Sequence, residues 1–354
     1  MFDVIIVGAG PSGCRVGELV AEKGFKVLII DKKREIGKPV RCSGLVSHRI
    51  FRLSGVSKNV IVNSVKKARF YSSSGSYLEL RSKKRVYVID REKFDKELAK
   101  NAMDAGANIR MLTSFKGFKR EKDCLRIRTG KNTMRTKLLV GADGPDSAVA
   151  RAANLPVPDN LLVGVQRTVK SYYEPETVEL WFGSHLCPKF FCWVIPENEE
   201  WARMGLATER NAMELLEKFI ERRVGKRKVK HKNELSGLIR FGLMKNTVDD
   251  RILLVGASAC QTKPFSGGGV VYGQIAARLA ANTCIKALEK GKYSYDFLKK
   301  NYEEKWRQKL VWPIRKGFIL NRLVHTSDWL FDVFIGIAKY SRFLFEGLDM
   351  DLLD

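Results

Sequence analysis

The sequence predicts an α/β protein with an α+β insertion: a nucleotide-binding domain on a parallel sheet, an inserted antiparallel β-sheet domain, and C-terminal helices. Three observations predict it. Continuously apolar runs, of the kind a parallel sheet buries on both faces, occur at Phe2 to Val7, Lys26 to Ile30, 137–144 and 251–258. Glycine-rich turns follow the first and the last of them. Between these runs, 64–89 and 160–245 alternate and carry turn signals, as antiparallel strands do. At 354 residues the chain suits about two domains.

The elements follow in order. The strand at 2–7 meets the turn GAGPSG at 8–13, then a helical stretch ended by Gly24, then the strand at 26–30 closing on Asp31: one βαβ unit. Residues 64–89 read as antiparallel strands turning at Ser72–Ser76, and a helix runs from about Glu92 to Gly106. Strand-like pieces at 108–118 and 125–129 lead to the buried strand KLLVGADG at 137–144. A second β-rich region fills 160–245, broken by a helix near Ala212–Arg223. The last apolar strand, at 251–258, precedes a helix from about Gly269 to Lys290, and amphipathic helices follow. The expected division is 1–63, 90–155 and 246–292 for the nucleotide-binding domain, 64–89 and 156–245 for the β-sheet substrate domain, and 293–354 for the helical region.

The first motif, Gly8-Ala9-Gly10-Pro11-Ser12-Gly13, permits a tight turn and close backbone approach, so that helix N–H groups can hold a pyrophosphate. Asp31 stands where a ribose-binding acid is required, followed by Lys32. These features make a Rossmann-like dinucleotide site. A second set decides which dinucleotide: Asp143-Gly144 after a buried strand, and Pro264-Phe265-Ser266-Gly267-Gly268-Gly269 opening a long helix. A nicotinamide enzyme has no need of that second helix start, whereas a flavin enzyme uses one to stabilise a negatively charged reduced ring.

With these residues the sequence resembles the FAD-dependent reductases and hydroxylases of the p-hydroxybenzoate hydroxylase fold, and among them the geranylgeranyl reductase family. The resemblance covers Phe2 to about Lys290. GKPVRCSGLVS at 37–47 resembles the family's loop beside the flavin, which makes Arg41 and Cys42 candidates there, with Cys42 the candidate catalytic group. DREKFDKELAKNAMDAGA at 90–107 resembles its Arg-bearing helix, implying Arg91 near the FAD phosphates. GADGPDSAVAR at 141–151 resembles its Asp-Gly motif. FCWVIP at 191–196 with MGLA at 204–207 resembles the signature lining the family's isoprenoid cavity, implying Phe191, Trp193, Ile195, Pro196 and Gly205 as substrate-facing. The sequence departs from the family at Gly256-Ala257-Ser258-Ala259, where Ala257 replaces the aspartate expected to hold the ribityl chain and Ser258 is left as a weaker donor. Ala207 and Ile195 depart from the signature as well.

The implied activity is FAD-dependent reduction of carbon–carbon double bonds in geranylgeranyl chains of archaeal lipid precursors. Two alternatives share the fold: a flavin monooxygenase or halogenase, whose Trp-x-Trp-x-Ile-Pro signature is one residue from 191–196, and an electron-transfer flavoprotein. The residues leave the reductant open between ferredoxin, NAD(P)H and a deazaflavin.

Lys and Arg number 64 against 39 Asp and Glu, a net charge of +25. Such an excess suits an anionic membrane face or an acidic protein donor. The basic run at 222–232 reads as a solvated helix end and strand without an RNA-binding aromatic signature, so no nucleic acid partner is expected. Four histidines and seven cysteines show no ligand spacing, so no metal is expected, and the dispersed cysteines suit a reducing compartment. The N-terminal stretch reads as a strand and not a basic leader, which predicts a cytoplasmic protein, peripheral on the inner face of the membrane. At 306–345, Trp312, Phe318, Trp329 and Phe331 alternate with Arg307, Lys309, Arg315, Lys316 and Arg322. Helices of this pattern lie in a membrane interface or cap a substrate cavity, and a mixture of both is expected.

Overall fold

The computed structural model describes residues 1–130, 132–226, 229–339, 350–351 and 353. Arg227 and Lys228 of the basic run, and the end of the stretch at 306–345, lie outside the described residues.

The apolar runs form one sheet, in the order Val248–Asp249, Ile252–Leu254, Asn132–Gly141, Phe2–Val7, Val27–Ile30, Asn108–Arg110. Its pairs are parallel from Ile252–Leu254 onward. Val4, Ile5, Ile6, Leu28, Ile29, Leu138, Leu139 and Val140 are fully buried, which is why these strands carry no polar alternation. The helices Pro11–Ala21, Arg91–Asp104 and Val270–Lys290 pack with these strands in one core. The piece expected at 108–118 is split. Asn108–Arg110 joins the parallel edge, Leu112 turns the chain at φ +53°, and Phe115–Arg120 pairs with Leu125–Thr129, which joins the same sheet antiparallel to Asn132–Gly141.

The second sheet runs His231–Arg240, Leu161–Lys170, Trp201–Thr208, Cys192–Pro196, Thr177–Trp181, Ile61–Tyr71, Tyr77–Ile89, Leu45–Ser47. Two features differ from the expected antiparallel sheet. Thr177–Trp181 pairs with Ile61–Tyr71 in parallel, because no hairpin joins them and the chain between them passes through the first sheet. Leu45–Ser47, from the loop that carries Cys42, adds an edge strand to this sheet.

Beyond the long helix, Tyr295–Leu298, a π turn at Lys299–Glu303, Glu304–Val324 and Asp328–Ala338 follow. Trp306 is buried and its indole N–H donates to Thr247 Oγ1 at 2.9 Å, while Tyr302 donates to the Leu254 carbonyl at 2.6 Å. Helix Asp328–Ala338 is tied to the second sheet by two carboxylates. Asp328 accepts from the Ser184 backbone and hydroxyl, and Asp332 accepts from the hydroxyls of Ser73 and Ser74, each at 2.7 Å.

Partial burial pushes the Asp332 carboxyl up, but the serine hydrogen bonds outweigh it and hold it down at about 2. A depressed folded value contributes stability that is present above the unfolded value of 3.8 and lost as pH falls toward 2. Asp332→Asn should therefore speed amide exchange in Asp328–Ala338 at neutral pH and leave Val270–Lys290 protected. Equal exchange in variant and wild type would show that this tie holds nothing.

Candidate functional site

The first glycine turn is closed by contacts that admit no side chain. Gly8 has φ +109°, and a Cβ there would stand 2.3 Å from the Ala142 carbonyl oxygen; one at Gly13 would stand 1.9 Å from the Gly8 oxygen. Helix Pro11–Ala21 thus begins directly at the carboxyl ends of the strands. Its N-cap, Gly10, offers no side-chain hydrogen bond, Pro11 occupies the first turn, and a Cβ on Gly10 would meet nothing within 4 Å. An uncapped helix start facing open space fits a pyrophosphate. Asp31 braces the turn, accepting the Ala9 N–H at 2.9 Å and the Lys33 N–H at 2.8 Å. A carboxylate has about four acceptor positions, so two remain for ribose hydroxyls. Lys32 is exposed. Ser12 packs inward: its Oγ lies 2.5 Å from the place of a Cβ on Gly256 or Gly273.

The Asp143-Gly144 loop lies beside this turn. Asp143 accepts from Ser147 Oγ at 2.6 Å and from the Ala148 N–H at 2.7 Å, holding the start of helix Ala148–Ala152; burial raises its pKa. Ser258 accepts the Gly144 N–H at 2.9 Å and donates to Asp143 at 3.2 Å, so its hydroxyl is engaged within this loop. Ala257 brings no polar group to its position, and the short helix Gly256–Ala259 carries it half-buried.

Cys42 is half-buried, and its Sγ accepts the Gly44 N–H at 3.4 Å. The cation set against this sulfur is Arg91, whereas Arg41 is exposed. Arg91 has only a tenth of its side chain exposed and is bidentate to Asp95 at 2.8 and 3.1 Å. Burial opposes its charge, but Asp95 and the Cys42 sulfur outweigh burial and raise its pKa. A second buried arginine escaped sequence reasoning. Arg203 pairs with Glu197 at 2.8 Å and donates to the Ser43 and Ile89 carbonyls at 2.6 and 3.0 Å, clamping the Cys42 loop onto the second sheet. Only its place among apolar residues in WARMGLAT hints at burial.

The second glycine turn is closed by the Gly267 N–H donating to the Lys263 carbonyl at 2.9 Å and the Lys263 N–H donating to the Gly268 carbonyl at 3.0 Å. Gly269 is the N-cap of Val270–Lys290 and offers no side chain, while Pro264 packs under Gly317. Strand His231–Arg240 joins this turn to the Cys42 loop. A Cβ on Gly237 would lie 3.2 Å from the Arg41 carbonyl, and Ile239 reaches within 3.2 Å of the place of a Cβ on Gly267. Two residues apart on one face of a strand is about 7 Å, so this strand holds the loop and the turn at neighbouring positions.

An aromatic cluster lies against this turn. Phe191 stacks on Phe190 at 4.4 Å and lies 6.2 Å edge-on from Trp193 and 6.3 Å from Phe265. Phe182 adds contacts to Phe191 at 5.4 Å and to Phe331 of the C-terminal helix at 5.1 Å. Trp193 donates to Gln166 at 2.9 Å and spreads over Gly205, where a Cβ would meet its ring at 2.5 Å. Ile195 shares the face of Trp193; Pro196 is on the other, its carbonyl accepting from Asn63 at 2.9 Å. Phe182, Phe190 and Phe331 were not singled out as site residues from sequence, because aromatic residues without a motif look like any other core residue.

Residues 1–292 match the FAD binding domain family. A digeranylgeranylglycerophospholipid reductase of Methanothrix thermoacetophila is 31% identical over 92% of this chain and 88% of its own. The chain belongs to the digeranylgeranylglycerophospholipid reductase family of FAD-binding proteins. The structure of a geranylgeranyl bacteriochlorophyll reductase-like protein from Thermoplasma acidophilum superposes with a TM-score of 0.88 at 27% identity, covering 96% of this chain and 91% of that one. The halogenase PltM superposes at 0.73 with 13% identity over 94% and 78% of the two chains, a likeness of fold alone. FAD is the cofactor of this reductase-family chain, and the uncapped start of Pro11–Ala21 with open space at Gly10 fits its pyrophosphate.

Because Gly10 alone of the first three glycines faces open space, Gly10→Val should leave the fold intact and empty the site of flavin. Gel filtration with flavin absorbance and far-ultraviolet circular dichroism reads both. A variant that keeps its yellow colour would place the pyrophosphate elsewhere.

Proposed function

We propose that the protein reduces carbon–carbon double bonds in the geranylgeranyl chains of archaeal membrane lipid precursors. The observation that carries this reading is that strand His231–Arg240 brings the Cys42 loop and the second glycine turn to neighbouring positions, with the aromatic cluster of Phe182, Phe191, Trp193 and Phe265 packed against that turn. FAD, held by the first glycine turn and reduced by two electrons from a separate donor, would supply the hydride for one alkene carbon. The chain's own residues bind the isoprenoid against apolar rings, exclude water and hold a proton source near the other carbon. An isolated alkene has no carbonyl to polarise, so alignment and exclusion of water are the main demands on the protein. We assign Cys42 to the reacting end. Its sulfur lies against the Arg91 guanidinium.

With reduced flavin and a geranylgeranyl lipid, product mass should rise by two hydrogens per bond reduced. Cys42→Ser should cut turnover about 10- to 100-fold, or change the number of bonds reduced, with FAD still bound. Mass spectrometry of the lipid decides it: no gain in mass with the wild type sinks the reading, and an unchanged Cys42→Ser product returns Cys42 to packing.

The lipid must be collected from a membrane, and the C-terminal helices present a face suited to one. On Glu304–Val324 and Asp328–Ala338, Trp306, Leu310, Ile314, Phe331 and Ile335 point into the core, while Trp312, Ile319, Leu323, Trp329 and Ile337 are exposed. Phe318 and Phe331 thus turn inward and Trp312 and Trp329 outward, with Arg315 and Arg322 exposed beside them. No helix among the described residues is long and apolar enough to cross a membrane. Exposed aromatics flanked by cations suit an interface, where each Lys or Arg contributes about 1 kcal/mol. Flotation should show binding to anionic but not neutral vesicles, lost at high salt and weakened by Arg315→Glu with Lys316→Glu. Equal binding to both vesicle types, or to neither, would assign the net charge to an acidic electron donor instead.

A further inference from the structure

The rings of the aromatic cluster are shut off from solvent. Phe182 is 1% exposed, Phe191 5% and Trp193 9%, so an isoprenoid chain reaches them only if a covering element moves. Most of what surrounds them is fixed. Cys192–Pro196 carries a strand on each side, and the second glycine turn is closed by its own main-chain hydrogen bonds. Helix Asp328–Ala338 is held differently. It sends Phe331, Ile335 and Ala338 into this core, with Phe331 5.1 Å from Phe182. Its side chains Asp328 and Asp332 accept hydrogen bonds from Ser184, Ser73 and Ser74. A short connection at 325–327 joins it to Glu304–Val324. There the Thr326 N–H reaches the Leu323 carbonyl only at 3.5 Å, and Ser327 is an extended N-cap without a side-chain hydrogen bond.

We propose that helix Asp328–Ala338 is a lid, hinged at 325–327, and that an anionic lipid surface opens it to admit the isoprenoid chain to the rings beneath. The identity of the chain rests on the reductase reading; the movement of the helix does not. Two observations carry the lid. The first is that the helix is apolar on its outer face as well as its inner one: Trp329, Leu330, Val333 and Ile337 are exposed, against Phe331 and Ile335 inside. In water, opening would hydrate Phe331 and Ile335 and is opposed. In a membrane interface both faces stay dry, so contact with lipid removes the main cost of opening. Arg315 and Arg322, exposed on the preceding helix, suit anionic headgroups. The second observation is His325, at the hinge itself. Its ring centre lies 6.0 Å from that of Phe182, and its Nε2 is buried without a hydrogen-bond partner. A closed state that leaves a polar nitrogen unpaired is less stable than its packing alone implies, and opening returns that nitrogen to water.

The FAD-loaded full chain carrying Ser184→Cys and Asp328→Cys tests this, since the native side chains at these positions hydrogen-bond at 2.7 Å. Copper–phenanthroline closes a disulfide across the lid and dithiothreitol reopens it. The disulfide should slow uptake of geranylgeraniol from anionic vesicles at least tenfold, with the wild-type rate restored on reduction. With the thiols free, anionic vesicles should slow disulfide closure about tenfold, because an open lid parts the pair. Should the pair not fold or not close, Asp328→Ala with Asp332→Ala answers: removing both ties should speed uptake of geranylgeraniol dispersed without vesicles about tenfold. Uptake as fast when locked, or no faster when the ties are removed, overturns the lid. Disulfide closure unchanged by vesicles overturns the part assigned to lipid. Failure of the reductase reading appears separately, as geranylgeraniol taken up at these rates with no gain in lipid mass.

Discussion

Everything at the flavin site depends on one close approach, made where three separated parts of the chain meet without side chains. Ser12 of the first glycine turn packs against Gly256, which follows the last parallel strand, and against Gly273 in the first turn of the long helix. A Cβ at either glycine would stand 2.5 Å from the Ser12 hydroxyl oxygen, a distance at which repulsion is prohibitive. The absence of those two atoms brings both helix N-termini to one edge of the sheet. Two uncapped helix starts then face the same region, and their N–H groups and dipoles sum toward a ligand that carries negative charge at both its pyrophosphate and its reduced ring.

What was legible in the sequence follows from whether the constraint is local. Strands Phe2–Val7 and Val27–Ile30 announce themselves because both faces are buried, and the helix Ala212–Val224 because its apolar residues recur at helical spacing. The glycine turns could be read because a tight turn demands glycine at fixed offsets. Pairings between distant segments left no such trace. The parallel register of Thr177–Trp181 on Ile61–Tyr71, and the addition of Leu45–Ser47 to the second sheet, are set by tertiary packing alone. The same holds at the site: Cys42 could be read from its loop, but its partnership with Arg91 depends on where a helix some fifty residues later comes to rest.

Charge is distributed differently from what a count of basic residues implies. Arg91, Arg203 and Arg223 each face a carboxylate in a partly or fully dry setting, and each fixes a loop or strand. Arg223, in the run expected to be solvated, is half-buried and bidentate to Glu179 at 2.7 Å, with its guanidinium over Tyr173. Such pairs confer little net stability over apolar packing, yet removing one partner leaves a buried charge and costs roughly 3–5 kcal/mol. Their value here is geometric. Arg203 joins the Ile89 carbonyl at the end of a second-sheet strand to the Ser43 carbonyl of the Cys42 loop, so that loop cannot drift from the second sheet without exposing a buried cation.

The C-terminal helices carry apolar residues on both an inward and an outward face. Their inward residues close the aromatic cluster: Phe331 meets Phe182, and Gly317 lets Glu304–Val324 approach Pro264 closely enough that a Cβ would stand 3.0 Å from its ring. Their outward residues include Trp312 at 59% exposure and Trp329 at 68%, far more apolar surface than a helix facing only water normally shows. Under the proposed function, a helix that covers the aromatic cluster on one side and meets a lipid interface on the other would shorten the path an isoprenoid chain must travel through water. At about 0.8 kcal/mol for each exposed CH₂, a twenty-carbon chain released into water on the way would cost more than any single contact in the site could return. Under the proposed function, the requirement that the chain never be fully hydrated would account for the cap of the aromatic cluster and the apolar outer face belonging to the same two helices.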